Sequence, residues 1–183
     1  MRSLALIFAL CGGPAFAAGL EIDVCGAPTE GTISIDLLED VAPNHVEQII
    51  ALAESGFYDG VFFHRVIDGF MAQTGDGEFG KVEGGNLGRA GTGGSELSNI
   101  GAEFSDIPFE RGVVGMARSQ NPDSANSQFF IMFADGPFLN GQYTVVGRVT
   151  DGLDVLDDIK RGDGSTRQIT GAPDHMASVT VID

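Results

Sequence analysis

The chain of 183 residues has no tryptophan, two cysteines, three histidines, and ten lysines and arginines against 26 aspartates and glutamates. Each shortage excludes something. A formal charge of −16 leaves no cationic face for sequence-independent nucleic-acid binding, and it disfavours anionic membrane surfaces. His45, His64 and His175 are scattered with no second ligand at metal spacing, so no metal site is expected. Cys11 and Cys25 provide no disulfide framework, and no base stands near Cys25 in sequence to activate it as a nucleophile. The most apolar stretch, Leu4–Leu20, is interrupted by three glycines and Pro14, whereas a membrane span needs about 20 unbroken apolar residues.

That stretch has another layout. Arg2 supplies a positive start, Leu4–Leu10 an apolar run, Gly12-Gly13-Pro14 a break, and Ala15-Phe16-Ala17 small residues at −3 and −1. This is the pattern of a secretory signal peptide cut before Ala18. Cleavage at Cys11, as in a lipoprotein, is disfavoured because bulky Leu10 precedes it. The expectation is a leader over residues 1–17 and one domain over 18–183. The mature protein would be periplasmic or secreted, with no stable membrane insertion.

Glycine is abundant, 27 residues, about twice the average share. With 13 phenylalanines, it points to a turn-rich β protein. Thr32–Leu37 alternates, with Ile33, Ile35 and Leu37 on one face, as a half-buried strand does. Val61–Ile67, Phe70–Gln73, Gly112–Ala117, Ser127–Phe133, Tyr143–Val149 and Ser178–Ile182 are further predicted strands. Two helices are predicted. Pro43–Ser55 places Val46, Ile49, Ile50 and Ala53 on one side and stops at Gly56; Leu153–Arg161 stops at Gly162. Short strands with two helices predict a barrel with helices packed over its ends. Between Thr74 and Gly101 lies a glycine-rich stretch. It reads as a long surface loop, because Gly91-Thr92-Gly93-Gly94 lacks the Lys-Ser/Thr ending of a phosphate loop.

Three segments concentrate polar groups among aromatics: Phe62–Gln73, Gly115–Arg118 with Asn126–Ile131, and Phe138–Tyr143. Strand periodicity pairs Phe63 with Arg65, Met71 with Gln73 and Gln128 with Phe130, while Phe129, Ile131 and Phe133 turn inward. If the polar faces converge, they form an apolar pocket with one guanidinium and two amides. Such a set suits a neutral peptide segment better than acyl or phosphoryl transfer.

The run Phe63-His64-Arg65 through Phe70-Met71-Ala72-Gln73, the Gly91-Thr92-Gly93-Gly94 turn, Ser127–Ile131, and Leu139–Tyr143 with Val146–Val149 closely resemble the cyclophilin family of peptidyl-prolyl cis-trans isomerases. The likeness covers most of the chain from about Thr29. It implies a mainly β fold, a closed eight-stranded antiparallel β-barrel capped by two α-helices, and no cofactor or metal. It implies catalysis by Arg65 with Gln73, and a proline pocket of Phe70, Met71, Phe130 and Leu139. Gln128, Gly91 and the main chain around Ala117 and Arg118 would hold the peptide, with Phe138 and Tyr143 as walls. The expected partners are proline-containing peptides and unfolded protein clients, met by a monomer that assists folding of exported proteins. The rival is a non-catalytic proline-peptide-binding module or holdase using the same groove; an intact Arg65 favours the enzyme.

The chain also departs from the family pattern. Phe138 stands where many members carry a tryptophan, Tyr143 where many carry a histidine, and Arg118 in place of a frequent asparagine. Asp68 replaces a common proline, and a glycine-rich insertion lies between Asp76 and Gly91.

Overall fold

The computed structural model describes residues 18–26, 29–163 and 171–182; the expected leader, Met1–Ala17, lies outside them. Period-two patterning builds the first hairpin. β1 (Gly19–Cys25) buries Leu20, Ile22 and Val24 while Glu21 and Asp23 face outward, and it pairs antiparallel with β2 (Glu30–Leu37) from Gly19 opposite Asp36 to Cys25 opposite Glu30. The other strands are β3 (Val61–Phe62), β4 (Arg65–Ile67), β5 (Met71–Thr74), β6 (Val113–Met116), β7 (Phe129–Met132), β8 (Val145–Asp151) and β9 (His175–Ile182). All pair antiparallel in one sheet of nine strands, ordered β3-β9-β1-β2-β8-β6-β7-β5-β4.

The sheet curls around a core that includes Ile22, Ile33, Val46, Phe63, Phe129, Ile131 and Leu156. Helix α1 (Pro43–Glu54) packs against β9, and α2 (Leu153–Asp158) packs against β2. Pro43 fits the first turn of α1, where its missing N–H costs nothing. A second apolar cluster lies on the opposite face of the central strands, with Met71, Phe109, Val113, Phe130, Met132, Leu139 and Val145. Strands β6 and β7 are therefore buried on both faces, which explains the unbroken apolar run Phe129-Phe130-Ile131-Met132.

Several expectations change. The predicted strand Val61–Ile67 is broken at Phe63 and His64: Val61, Phe63 and Val66 all enter one core, a spacing that a strict period of two does not allow. Its halves, β3 and β4, form the two edges of the sheet, and among the described residues no ladder joins them. The fold is thus mainly β, antiparallel and accompanied by two helices, as expected, with a curled sheet of nine strands where eight were expected. The break also resets the phase: Phe63 enters the core beside Val61 and Val66, and Arg65 emerges on the other face. Helix α2 stops before Ile159, which adopts an extended conformation and turns into the core. Strand β1 is an addition to the predicted set.

Candidate functional site

Arg65, Gln73, Phe130 and Gly115 lie in register across four adjacent strands: Arg65 faces Gln73, Gln73 faces Phe130, and Phe130 faces Gly115. This row crosses the face that carries the second apolar cluster. Gly115 must lack a side chain there. A Cβ would stand 2.5 Å from the Phe109 ring and 2.6 Å from the Phe130 ring, so the glycine lets Phe130 lie flat against the sheet.

Around the row is a cavity of about 450 Å³ lined by Arg65, Phe70, Met71, Gln73, Ala117, Arg118, Phe130, Phe138, Leu139, Gln142 and Tyr143. Met71, Phe130 and Leu139 are buried and form its floor. The Phe130 ring stacks on Phe109 at 5.7 Å and meets Tyr143 edge-on at 5.7 Å. A short 3-10 turn, Pro137–Leu139, sends Leu139 inward and leaves Phe138 62% exposed, tilted against Phe70 at 5.4 Å. The pocket therefore has a fixed aromatic floor and an aromatic rim.

A second cavity, of about 460 Å³, adjoins the first and shares Gln73, Ala117 and Arg118 with it. Gly91, Gln128, Ser119, Ser124 and Asn126 contribute to its walls. All twelve residues expected at the site thus line one or the other of two connected hollows. The groove is lined by polar groups at one end and apolar groups at the other.

The polar groups are chained together. Arg65 Nη1 donates to Gln73 Oε1 at 3.3 Å, Gln73 Nε2 to Gln128 Oε1 at 2.9 Å, and Gln128 Nε2 to the Gly93 carbonyl at 2.8 Å. Arg118 behaves differently. Its guanidinium lies 4.4 Å from the Tyr143 ring and donates to the carbonyls of Gln142 (2.8 Å) and Ser119 (2.9 Å). It braces the 138–143 loop with its side chain, while Ala117 brings main chain to the groove.

Three features escape the sequence patterns. Gln142 lines the pocket and donates to the Phe138 carbonyl at 2.9 Å. Asp76 is fully buried; one carboxylate oxygen accepts from the N–H groups of Glu78 and Phe79, and the other from those of Gly91 (2.7 Å) and Gly93 (3.0 Å). The amides that made a phosphate cradle conceivable therefore already serve a carboxylate of the same chain. An aspartate between two glycines signals a solvent-facing turn, so its burial has no local signature. Finally, His64 lies buried between the strand halves, against Gly91, and neither ring nitrogen has a hydrogen-bond partner among the described residues. Burial lowers its pKa to about 4, with Asp76 opposing that shift.

A curled antiparallel sheet with two helices and an aromatic pocket beside a single row of Arg and Gln describes a peptide-binding class of protein. The sequence model of the family "Cyclophilin type peptidyl-prolyl cis-trans isomerase/CLD" matches residues 21–181. A "Probable peptidyl-prolyl cis-trans isomerase" of Brucella suis biovar 1 is 54% identical over 168 residues, covering 91% of this chain and 86% of the relative. A peptidyl-prolyl cis-trans isomerase of Helicobacter pylori strain J99 is 41% identical, covering 73% and 78%. The fold is similar to a cyclophilin type peptidyl-prolyl cis-trans isomerase of Cryptosporidium parvum, with TM-score 0.75 at 25% identity over 92% of this chain and 99% of the other. A second crystal structure of that protein, in the presence of the dipeptide Ala-Pro, aligns with TM-score 0.74 at 26% identity over 90% and 99%. The chain belongs to the cyclophilin-type peptidyl-prolyl cis-trans isomerases.

Proposed function

We propose that this isomerase acts on X-Pro bonds of exported proteins, with Arg65 as the catalytic residue and Gln73 beside it. One observation carries the reading: a guanidinium held at the rim of an apolar pocket, with its Nη1 3.3 Å from Gln73 Oε1. Amide resonance sets a barrier of about 18–20 kcal/mol to rotation, and uncatalysed X-Pro isomerisation takes tens of seconds. Twisting the bond localises the lone pair on the prolyl nitrogen. An Arg65 N–H can donate to that lone pair, which is absent from both planar states, so the interaction favours the transition state selectively. Phe70, Met71, Phe130 and Leu139 hold the ring, and Gln73, Gln128, Gly91 and the main chain at Ala117 hold the flanking backbone. No nucleophile or proton transfer is required, so His64 needs no role as a base. The Cryptosporidium structure determined in the presence of the dipeptide Ala-Pro supports a proline peptide as the ligand class.

Arg65→Ala should slow isomerisation of a proline peptide by roughly 10²–10³, the scale of losing a preorganised transition-state donor, while peptide affinity falls much less. Near-normal turnover in a folded Arg65→Ala protein defeats the assignment. The arrangement Arg2, Leu4–Leu10 and Ala15-Phe16-Ala17 supports export and a periplasmic or secreted role. Mass analysis of the soluble protein from its native host should find Ala18 at the N-terminus; Met1 retained there argues against export.

A further inference from the structure

We propose that Asp76 is a positioning residue for Arg65, acting through the glycine turn and two glutamines. The inference rests on the catalytic assignment of Arg65. The bonds form one unbroken path. Asp76 holds the N–H groups of Gly91 and Gly93; the Gly93 carbonyl holds Gln128; Gln128 holds Gln73; Gln73 holds Arg65 Nη1. Each side-chain amide along it uses its oxygen toward Arg65 and its nitrogen toward Asp76, so all the donors point in one sense.

The origin of the path is firmly built. Four main-chain N–H groups converge on a carboxylate with no solvent exposure. Charge-assisted bonds of this kind are the stronger ones. Gly93 cannot be replaced without disturbing the contact, since a Cβ would stand 2.5 Å from Asp76 Oδ1. The remainder of the path is half-buried and borders the groove. A rigid buried anchor at one end thus fixes the aim of a flexible guanidinium at the other. Arginine has many rotamers, and a reacting group displaced by about 1 Å can lose 10²-fold in rate.

The nest also explains why a glycine-rich segment can border a preorganised site. The segment 77–90 leaves Asp76 and returns to it, so its two ends are tied to the same carboxylate. Glu78 and Phe79, at the start of that segment, pack directly beside Gly93, so the carboxylate and the segment together hold the turn.

The test measures turnover and equilibrium affinity for one proline-containing peptide in the whole protein and in variants. Asp76→Asn keeps the shape but presents an NH2 group to one pair of N–H donors. It should lower turnover about tenfold, within the range expected for a misaimed catalytic group. Gln128→Leu leaves the nest intact, cuts the path downstream and should do the same; it decides the matter should Asp76→Asn fail to fold. In an Arg65→Ala background Asp76→Asn should change turnover less than about twofold, because a path with nothing left to aim produces no second loss. Gln128 also borders the groove, so for Gln128→Leu the lost peptide contact is read in the affinity, and the two backgrounds are compared only at saturating peptide. A role confined to loop stability predicts equal losses with and without Arg65, and that result overturns the proposal. So does turnover within twofold of the unmodified protein in folded Asp76→Asn or Gln128→Leu. If Arg65→Ala itself isomerises normally, the catalytic assignment falls with it; a slow Arg65→Ala with a normal Gln128→Leu removes the path alone.

Discussion

His64 shows how an ordinary residue sets a property of the site without touching a substrate. Its imidazole is buried against Gly91, neither nitrogen has a hydrogen-bond partner among the described residues, and it titrates near pH 4 because burial opposes its charge. In the unfolded chain the same group titrates near 6.5, so the unfolded state binds the extra proton first as pH falls. Stability should therefore be intact above about pH 6.5 and decline as pH drops toward 4, by about 3 kcal/mol from this group. Urea titrations at a series of pH values should show that decline, and His64→Phe should flatten it between 6.5 and 4. An unchanged slope in the variant means that other groups carry the acid sensitivity. The sequence shows this histidine within a run of apolar strand residues, where burial and a hydrogen-bonded place are both open. Which of them holds was not legible there, because hydrogen bonds to a ring depend on what other segments bring near it.

At the scale of elements, helix α1 has no side-chain cap of its own: Ala42 occupies the cap position. Glu103 caps it instead, from 58 residues away, accepting from the N–H groups of Asn44 (3.2 Å) and His45 (3.1 Å) and from both side chains at 2.6 Å. Partial burial works to raise the pKa of this carboxyl, yet the bonds from His45 and Asn44 outweigh it and hold it below the ordinary carboxylate range. Its contribution is complete above the unfolded value of 4.5 and is lost as pH falls through the lower folded value. Glu103→Ala should cost about 1–2 kcal/mol, the scale of a removed cap with its dipole interaction, measured by denaturant unfolding at neutral pH. A loss below a few tenths of a kcal/mol would show that solvent serves the helix end equally well. Periodicity located α1 within a residue because its buried face is a local pattern. The cap was invisible because it belongs to tertiary structure. The same division separates β7, whose apolar run spelled out its burial, from β3 and β4. There the sequence reads as one strand, and the fold interrupts it at Phe63 and His64.

Across the whole molecule, the face bearing the groove is assembled from strands distant in sequence, and this limits what motifs reveal. Face alternation placed Gln73 with Met71 and Gln128 with Phe130, as the groove has them. Arg65 was singled out by family resemblance, since alternation paired it with Phe63, which enters the core. The Asp76 nest and the Arg118 brace were not readable, since both depend on main-chain carbonyls and amides that carry no residue identity. The excess of acidic residues is spread over the exterior, including Glu21 and Asp23 on the outer face of β1. It adds nothing to the row of neutral amides beside Arg65.

The place of β9 in the sheet has a consequence for how the chain acquires its shape. This final strand lies between β3 and β1, pairing with both. While the chain is being made, these two strands wait with unsatisfied edges until residues 175–182 arrive. Folding is then dominated by pairings between the ends of the chain, a high-contact-order topology for which times of milliseconds to seconds are usual. A chain ending before His175 should show no cooperative unfolding transition and no turnover, even though every residue of the groove is present; a folded, active truncation would contradict this. The isomerase fold is thus completed all at once, with the eight-residue strand β9.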